Sequence, residues 1–156
     1  MVNLLKEMGL PQHQHEYLEV ASKSGDALLL MINDVLDFSK MESGQFDFDL
    51  KDIDLRLLLE QQALLYAEKA QVKDLELCLD FPTEEILFVR GDPSRIHQVV
   101  SNLLNNAIKF TSSGHITLSL QIPSKTNGNA LIEISISDTG IGIPEKALEQ
   151  IFLPFG

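Results

Sequence analysis

One cysteine, Cys78, stands among 156 residues, so no intrachain disulfide can brace this chain. It sits in Leu75-Glu-Leu-Cys-Leu-Asp-Phe81, on the polar side of an alternating run, with no histidine or other base beside it. That setting describes a bystander thiol rather than a nucleophile. Positive charge is scarce as well, with 12 Lys and Arg against 23 Asp and Glu and a net charge of −11. A surplus of that sign argues against nucleic-acid binding and against contact with an anionic membrane surface. No apolar run approaches the ~20 residues that cross a bilayer, and no signal-peptide pattern opens the sequence. Repeats and low-complexity tracts are absent. The length is enough for one core, or for a small domain with an appendage.

What is present is concentrated in Asp92-Pro-Ser-Arg-Ile-His-Gln-Val-Val-Ser-Asn-Leu-Leu-Asn-Asn-Ala-Ile-Lys-Phe-Thr111. Asp92 can cap a helix, and Pro93 suits its first position, where no amide hydrogen is needed. Ile96, Val99, Val100, Leu103, Leu104 and Ala107 recur at helical spacing and predict a core-facing stripe. Opposite them Gln98, Asn102 and Asn106 are spaced four apart, with Lys109 one turn on. Asparagine weakens a helix interior because its side chain competes for backbone hydrogen bonds, and Asn102, Asn105 and Asn106 crowd five positions. A solvated face is built more favourably from Glu, Lys or Gln. Amide oxygens are hard, neutral ligands suited to a magnesium ion that leans on substrate phosphates, and Lys109 adds a point charge. Taken alone, the row is equally consistent with a polar face that binds nothing.

A second motif bears on that choice. Ala130-Leu-Ile-Glu-Ile-Ser-Ile-Ser137 alternates as a strand, with Ile132, Ile134 and Ile136 on one face. Asp138-Thr-Gly-Ile-Gly-Ile-Pro144 follows it. Gly140 and Gly142 free the chain for a tight turn and let a flat ligand approach the backbone. A carboxylate at a strand end can accept from an exocyclic amine such as that of adenine. The string is no phosphate-binding P-loop, since no Gly-Lys-Ser/Thr follows, and it lacks the third glycine of the dinucleotide fingerprint.

The rest of the pattern is a helical stub over Val2–Met8, a long helix from His13 to about Met41, and a strand over Phe46–Leu50. A helix capped by Asp54 follows and runs to about Ala70. Strands come next near Leu75–Phe81 and Ile86–Val89, then a strand over His115–Ile122, joined through a Lys125–Asn129 hairpin loop to Ala130–Ser137. In the long helix Tyr17, Ala21, Ser24, Leu28, Met31, Val35 and Phe38 step by four and three. That is a heptad seam, widened by Leu29, Ile32 and Leu36 toward a four-helix bundle. The same stripe could also pack on its own domain's core.

Four motifs in order resemble sensor histidine kinases of the hybrid type. The Asn helix resembles their N box, Asp138 to Gly142 their G1 box, and Ile151-Phe-Leu-Pro-Phe155 their F box. Ser24 to Gly44, with Asn33-Asp-Val-Leu-Asp-Phe-Ser-Lys-Met-Glu-Ser-Gly44, is similar to the second helix of their dimerisation and phosphotransfer domain. The resemblance implies an α/β fold: a two-layer sandwich with a mixed sheet and helices on one face, preceded by a long dimerisation helix. Residues 1–44 are then part of the dimerisation hairpin, and 45–156 the catalytic ATP-binding domain. It implies ATP and Mg2+ as ligands, with Asn106 on the magnesium, Asn102 and Lys109 beside the phosphates, Asp138 on the adenine amine, and Gly140 and Gly142 shaping the adenine pocket. The implied reaction is transfer of the γ-phosphoryl group to a histidine nitrogen. The implied partners are a second copy through the N-terminal helix and a response-regulator receiver domain, in a cytoplasmic segment of a parent that can be membrane-anchored.

Departures from the family pattern set further expectations. No Ser-His-Glu string supplies a phosphoacceptor; His13 and His15 read as loop or helix-start residues, His97 as a surface or pocket-edge residue, and His115 as the unremarkable start of a strand. The match implies a piece that begins just after the phosphoacceptor and stops before the ATP lid and second glycine-rich box, so stand-alone kinase activity is not expected. Leu153 occupies a position where the family often carries a polar residue. A non-catalytic dimerisation or regulatory module that keeps the fold is the alternative. The topoisomerase and chaperone branch of the same ATPase fold fits poorly, because no Glu lies between Asp92 and Phe110 to activate water.

Overall fold

The computed structural model describes residues 12–44, 47–82, 87–126, 129–148 and 151. The stub over Val2–Met8 and most of Ile151–Phe155 lie outside the described residues, as do Phe46 and Ile86. The chain divides into two compact units, Met1–Asp47 and Phe48–Gly156.

The first unit holds helix α1 (Gln12–Glu42). It ends where Gly44 takes a left-handed φ of 66° and Ser43 N donates to Ser39 O. The seam is open to solvent: Tyr17, Leu28, Met31 and Val35 are all more than half exposed, and Leu29 and Leu36 flank them likewise. Ser24, the polar member, returns its hydroxyl to Val20 O at 2.7 Å. The Phe38 side chain lies outside the described residues.

The second unit runs β1 (Lys51–Asp54), α2 (Leu55–Gln71), β2 (Leu75–Asp80), β3 (Phe88–Gly91), α3 (Pro93–Phe110), β4 (Gly114–Thr126), β5 (Asn129–Asp138) and the single turn α4 (Glu145–Leu148). Asp54 caps α2 by accepting from Leu57 N at 3.0 Å. Asp92 caps α3 by accepting from Ser94 N and Arg95 N, with Pro93 in the first turn. After α2 the chain turns through Asp74, at φ 55°, into β2.

Strands β2, β4 and β5 form one mixed sheet, with β2 parallel and β5 antiparallel to the central β4. Leu75, Ile116, Leu118 and Leu120 point from it into the core, and Leu77, Ile132, Ile134 and Ile136 pack against the same cluster. Helices α2 and α3 cover that face with Leu55, Leu59, Ala63, Tyr66 and Ala70 and with Val100, Leu104, Ala107 and Ile108. Burial of each Leu or Ile contributes about 1.5–3 kcal/mol. The alternate strand positions Glu76, Cys78, Gln121 and Glu133 are exposed, as a half-buried sheet requires.

The expected mixed sheet with helices on one face is present, and β1 and β3 pair with each other in a separate antiparallel ribbon, Lys51 opposite Gly91 and Asp54 opposite Phe88. Three expectations are corrected. The strand expected over Phe46–Leu50 lies at Lys51–Asp54 instead. Residues 47–50 pair with no strand among the described residues; Asp49 N donates to the Asp92 carboxylate at 3.0 Å, and Phe48 and Leu50 stay exposed. The loop expected over Lys125–Asn129 is shorter, because Lys125 pairs with Ala130 and Thr126 with Asn129, after an irregularity between Gln121 and Ser124. Finally, Val99 (59 % exposed) and Leu103 (45 %) leave the predicted core stripe. The buried line on α3 passes through Val100, Leu104, Ala107 and Ile108, about 100° round the helix from them.

Candidate functional site

Interhelical hydrogen bonds set the rotation of α3. His97, Ser101 and Asn105, four apart on one side, meet Gln62 and Tyr66, four apart on α2. Ser101 Oγ donates to Gln62 Oε1 at 3.0 Å, Gln62 Nε2 lies 3.2 Å from His97 Nε2, and Asn105 Nδ2 donates to the Tyr66 hydroxyl at 3.0 Å. Gln62 is buried, and both ends of its amide are satisfied. Asn105 therefore holds the helix pair together. Asn102 and Asn106, on the open side, are exposed and make no hydrogen bond among the described residues. Gln98 is half-buried and accepts from Arg95 Nη1 at 2.8 Å. Exposed Lys109 places Nζ 4.9 Å from the Phe110 ring centroid. His97 lines a groove at the α2–α3 entrance with Leu58, Leu65 and Pro93.

The C-terminal end of α3 is joined to the glycine turn. The last four carbonyls of a helix lack partners within it. Here Thr111 N donates to Ala107 O at 3.0 Å, Lys73 Nζ to Ile108 O at 2.7 Å and Lys109 O at 3.3 Å, and Ile141 N to Phe110 O at 3.3 Å. The Lys73 ammonium also lies at the negative end of the helix dipole. Thr139 pins the turn from the other side: its N–H donates to His115 O at 3.2 Å, and its hydroxyl accepts from His115 N at 3.1 Å.

Asp138 stands between these attachments. Its Oδ1 accepts from Gly140 N at 2.8 Å and from Thr111 Oγ1 at 3.3 Å, while Oδ2 has no partner among the described residues. A Cβ on Gly140 would come within 2.5 Å of Phe110 O, so only glycine permits this closure. Gly142 has a φ of 68° in open space and serves the turn through conformation alone. Thus Asp138, Gly140 and the end of α3 beyond Lys109 are brought together directly. Asn106 and Asn102 lie about one and two turns back along the same helix.

Asp92 shows how the front of α3 is held. Burial pushes its carboxyl up, but the N–H donors of Asp49, Arg95 and Ser94 and the Arg95 charge outweigh burial and hold it below the ordinary carboxylate range.

The donor set fits a nucleotide with magnesium. No group of three or more His, Cys, Asp or Glu capable of holding a metal occurs among the described residues. A cation here would rest on phosphate oxygens, water and a neutral amide oxygen, the arrangement magnesium favours, and Asn106 offers such an oxygen unengaged. Asp138 Oδ2 likewise offers one unengaged acceptor. Tyr66 and Lys73, which bond to α3 here, were not singled out from the sequence, and Thr111 entered there only as the last residue of the Asn-helix stretch. Periodicity carries no signal for them, because each meets its partner across the fold.

Two family models match the chain. Residues 91–156 match the histidine kinase-, DNA gyrase B-, and HSP90-like ATPase, and residues 1–44 the His Kinase A (phospho-acceptor) domain. Hybrid signal transduction histidine kinase L of Dictyostelium discoideum is 39% identical over 157 residues, covering 99% of this chain. The chain spans 9% of that relative's length. Full-length ShkA, solved in complex with AMPPNP, superposes with a TM-score of 0.78 at 31% identity, over 99% of this chain and 32% of ShkA. The catalytic domain of the histidine kinase ThkA superposes with a TM-score of 0.60 at 30% identity, over 70% of this chain and 71% of that domain.

Proposed function

The chain belongs to the sensor histidine kinase family, and we propose that its second unit binds magnesium–ATP for phosphoryl transfer to a histidine within a two-component phosphorelay. The observation that carries this reading is the closure of the glycine turn on the end of α3. Ile141 N on Phe110 O links the turn to the helix, and two donors fill Asp138 Oδ1. Both polar clusters then retain unengaged groups of the right chemistry, Asp138 Oδ2 at one and Asn106 at the other.

Each residue has a definite task in this reading. Asp138 accepts from the adenine amine. Gly140 lets the turn close on Phe110 O and Gly142 supplies its left-handed bend, and together they shape the adenine pocket. Asn106 supplies an amide oxygen to the magnesium, and Asn102 and Lys109 lie beside the phosphates. A magnesium ion held by Asn106 would supply positive charge against the charge developing on the phosphates. The protein's own contribution is positioning and fixed charge, since phosphoryl transfer asks little covalent chemistry of it.

Residues 1–44 belong to the dimerisation and phosphotransfer part, and residues 45–156 to the catalytic ATP-binding part. The exposed seam of α1 pairs with a second copy, and a response-regulator receiver domain receives the phosphoryl group downstream. The segment acts in the cytoplasm, and no helix among the described residues is long and apolar enough to cross a membrane.

Calorimetric titration of ATP with and without magnesium tests the site. Asn106→Ala should abolish the magnesium-dependent part of the affinity, while Asp138→Ala should abolish preference for adenine over guanine nucleotides. An Asn106→Ala chain with unchanged magnesium dependence would reject the ligand role.

A further inference from the structure

Thr111 immediately follows α3, and its side chain is entirely buried. A hydroxyl removed from water needs a partner. Among the described residues that partner is Asp138 Oδ1, 3.3 Å away and 27 residues on in sequence. The separation is long for an O–H···O bond, but the same oxygen also accepts from Gly140 N at 2.8 Å. Carboxylate torsions are broad and turn easily. Two donors converging on one oxygen restrict that freedom and leave Oδ2 as the single acceptor on offer. Thr111 itself is walled in and cannot touch a ligand.

We propose that Thr111 is a positioning residue for base recognition: its hydroxyl holds the Asp138 carboxylate so that Oδ2 meets the exocyclic amine of adenine. The inference rests on the reading of Asp138 as the adenine acceptor given above. It assigns to Thr111 a part of base selectivity that the backbone of the glycine turn does not supply alone. The Thr111 backbone has a separate task, closing α3 through Ala107 O, and side-chain variants leave that task intact.

The test compares ATP with purine riboside triphosphate, which lacks the 6-amino group, by titrating each into the full chain with magnesium. The ratio of the two Kd values reads the amine contact alone. Thr111→Val keeps the shape and removes the donor. It should reduce the ratio by about fivefold to tenfold, through weaker ATP binding with purine riboside triphosphate unchanged. Thr111→Ser keeps the donor and should restore the wild-type ratio; Thr111→Ala substitutes for the valine variant if that chain does not fold. Equal weakening of both nucleotides, or an unchanged ratio, overturns the proposal by making the hydroxyl merely structural. Asp138→Ala separates the two failures. A ratio lost in Asp138→Ala but kept in Thr111→Val overturns the role of Thr111 only. A ratio kept in Asp138→Ala, or no discrimination by the wild-type chain, overturns the Asp138 reading and this one with it.

Discussion

The two glycines of the Asp138–Gly142 turn should fail on substitution for different reasons and by different amounts. At Gly140 an added Cβ would stand 2.5 Å from Phe110 O and 2.7 Å from Asp138 Oδ1. Neither atom is the loose end of a side chain: the carbonyl is bonded to Ile141 N, and the carboxylate oxygen takes two donors. To reach ordinary contact the methyl or its neighbours must move by roughly an ångström. That motion opens Ile141 N to Phe110 O and Gly140 N to Asp138 Oδ1. The first is a neutral amide–carbonyl bond worth about 0.5–1.5 kcal/mol and the second, to a charged group, about 1.5–3 kcal/mol. Gly140→Ala should therefore destabilise the chain by about 2–4 kcal/mol and weaken ATP binding at the same time, because the displaced groups are those that orient Asp138.

Gly142 offers a control within the same motif. Nothing lies within 4 Å of a Cβ built there, but φ is 68°. Alanine in that conformation costs about 1–2 kcal/mol, and asparagine less, because its short polar side chain tolerates the left-handed region. Urea unfolding followed by far-UV circular dichroism gives the stabilities, and ATP titration gives the affinities. The expected order of loss is Gly140→Ala, then Gly142→Ala, then Gly142→Asn. A Gly140→Ala chain within about 0.5 kcal/mol of wild type, with normal ATP affinity, would refute the claim that this closure builds the site.

Asp92 predicts a pH effect. A carboxyl held low in the folded state contributes stability that is present above the ordinary carboxylate value and lost as pH falls through the lowered one. Stability should thus decline below about pH 4 in the wild type, and in Asp92→Asn it should be lower at neutral pH with a shallower acid decline; identical acid profiles would count against the cap. Met31→Lys, on the exposed seam of α1, should weaken self-association by at least ~tenfold in sedimentation equilibrium, and an unchanged dimer would place the second copy elsewhere.

How far these features were legible depends on whether their cause is local. Helices α2 and α3 announce themselves through Asp54 and Asp92, caps whose partners lie within three residues. β5 does so through Ile132, Ile134 and Ile136, which a half-buried strand alternates against Leu131 and Glu133. The alternation of Phe46, Phe48 and Leu50 is just as clean, yet residues 47–50 form no strand, because only a neighbour can complete a ladder and β3 pairs from Lys51 onward. The hairpin beyond Gln121 carried a readable signal: Asn127-Gly128 is a strong two-residue turn pair, and Thr126 and Asn129 do pair across it.

The site divides along the same line. Asp138 and Gly140 were legible because a strand, a carboxylate and a glycine turn are contiguous. Asn102, Asn105 and Asn106 were conspicuous together but not separable. Periodicity could not say that Asn105 answers Tyr66 on another helix while its neighbours stay open. The contact of Thr111 with Asp138 was invisible for the strongest version of this reason. The burial of Thr111 and its bond to Asp138 both exist only once residues 27 positions apart have met. Local rules therefore single out the candidate nucleotide-binding groups, whereas the contacts around Asp138 arise from closure of the turn on α3. Substitutions at those contacts should alter selectivity before they abolish the fold, because the core of Leu59, Leu104, Ile116 and Leu118 is built independently of them.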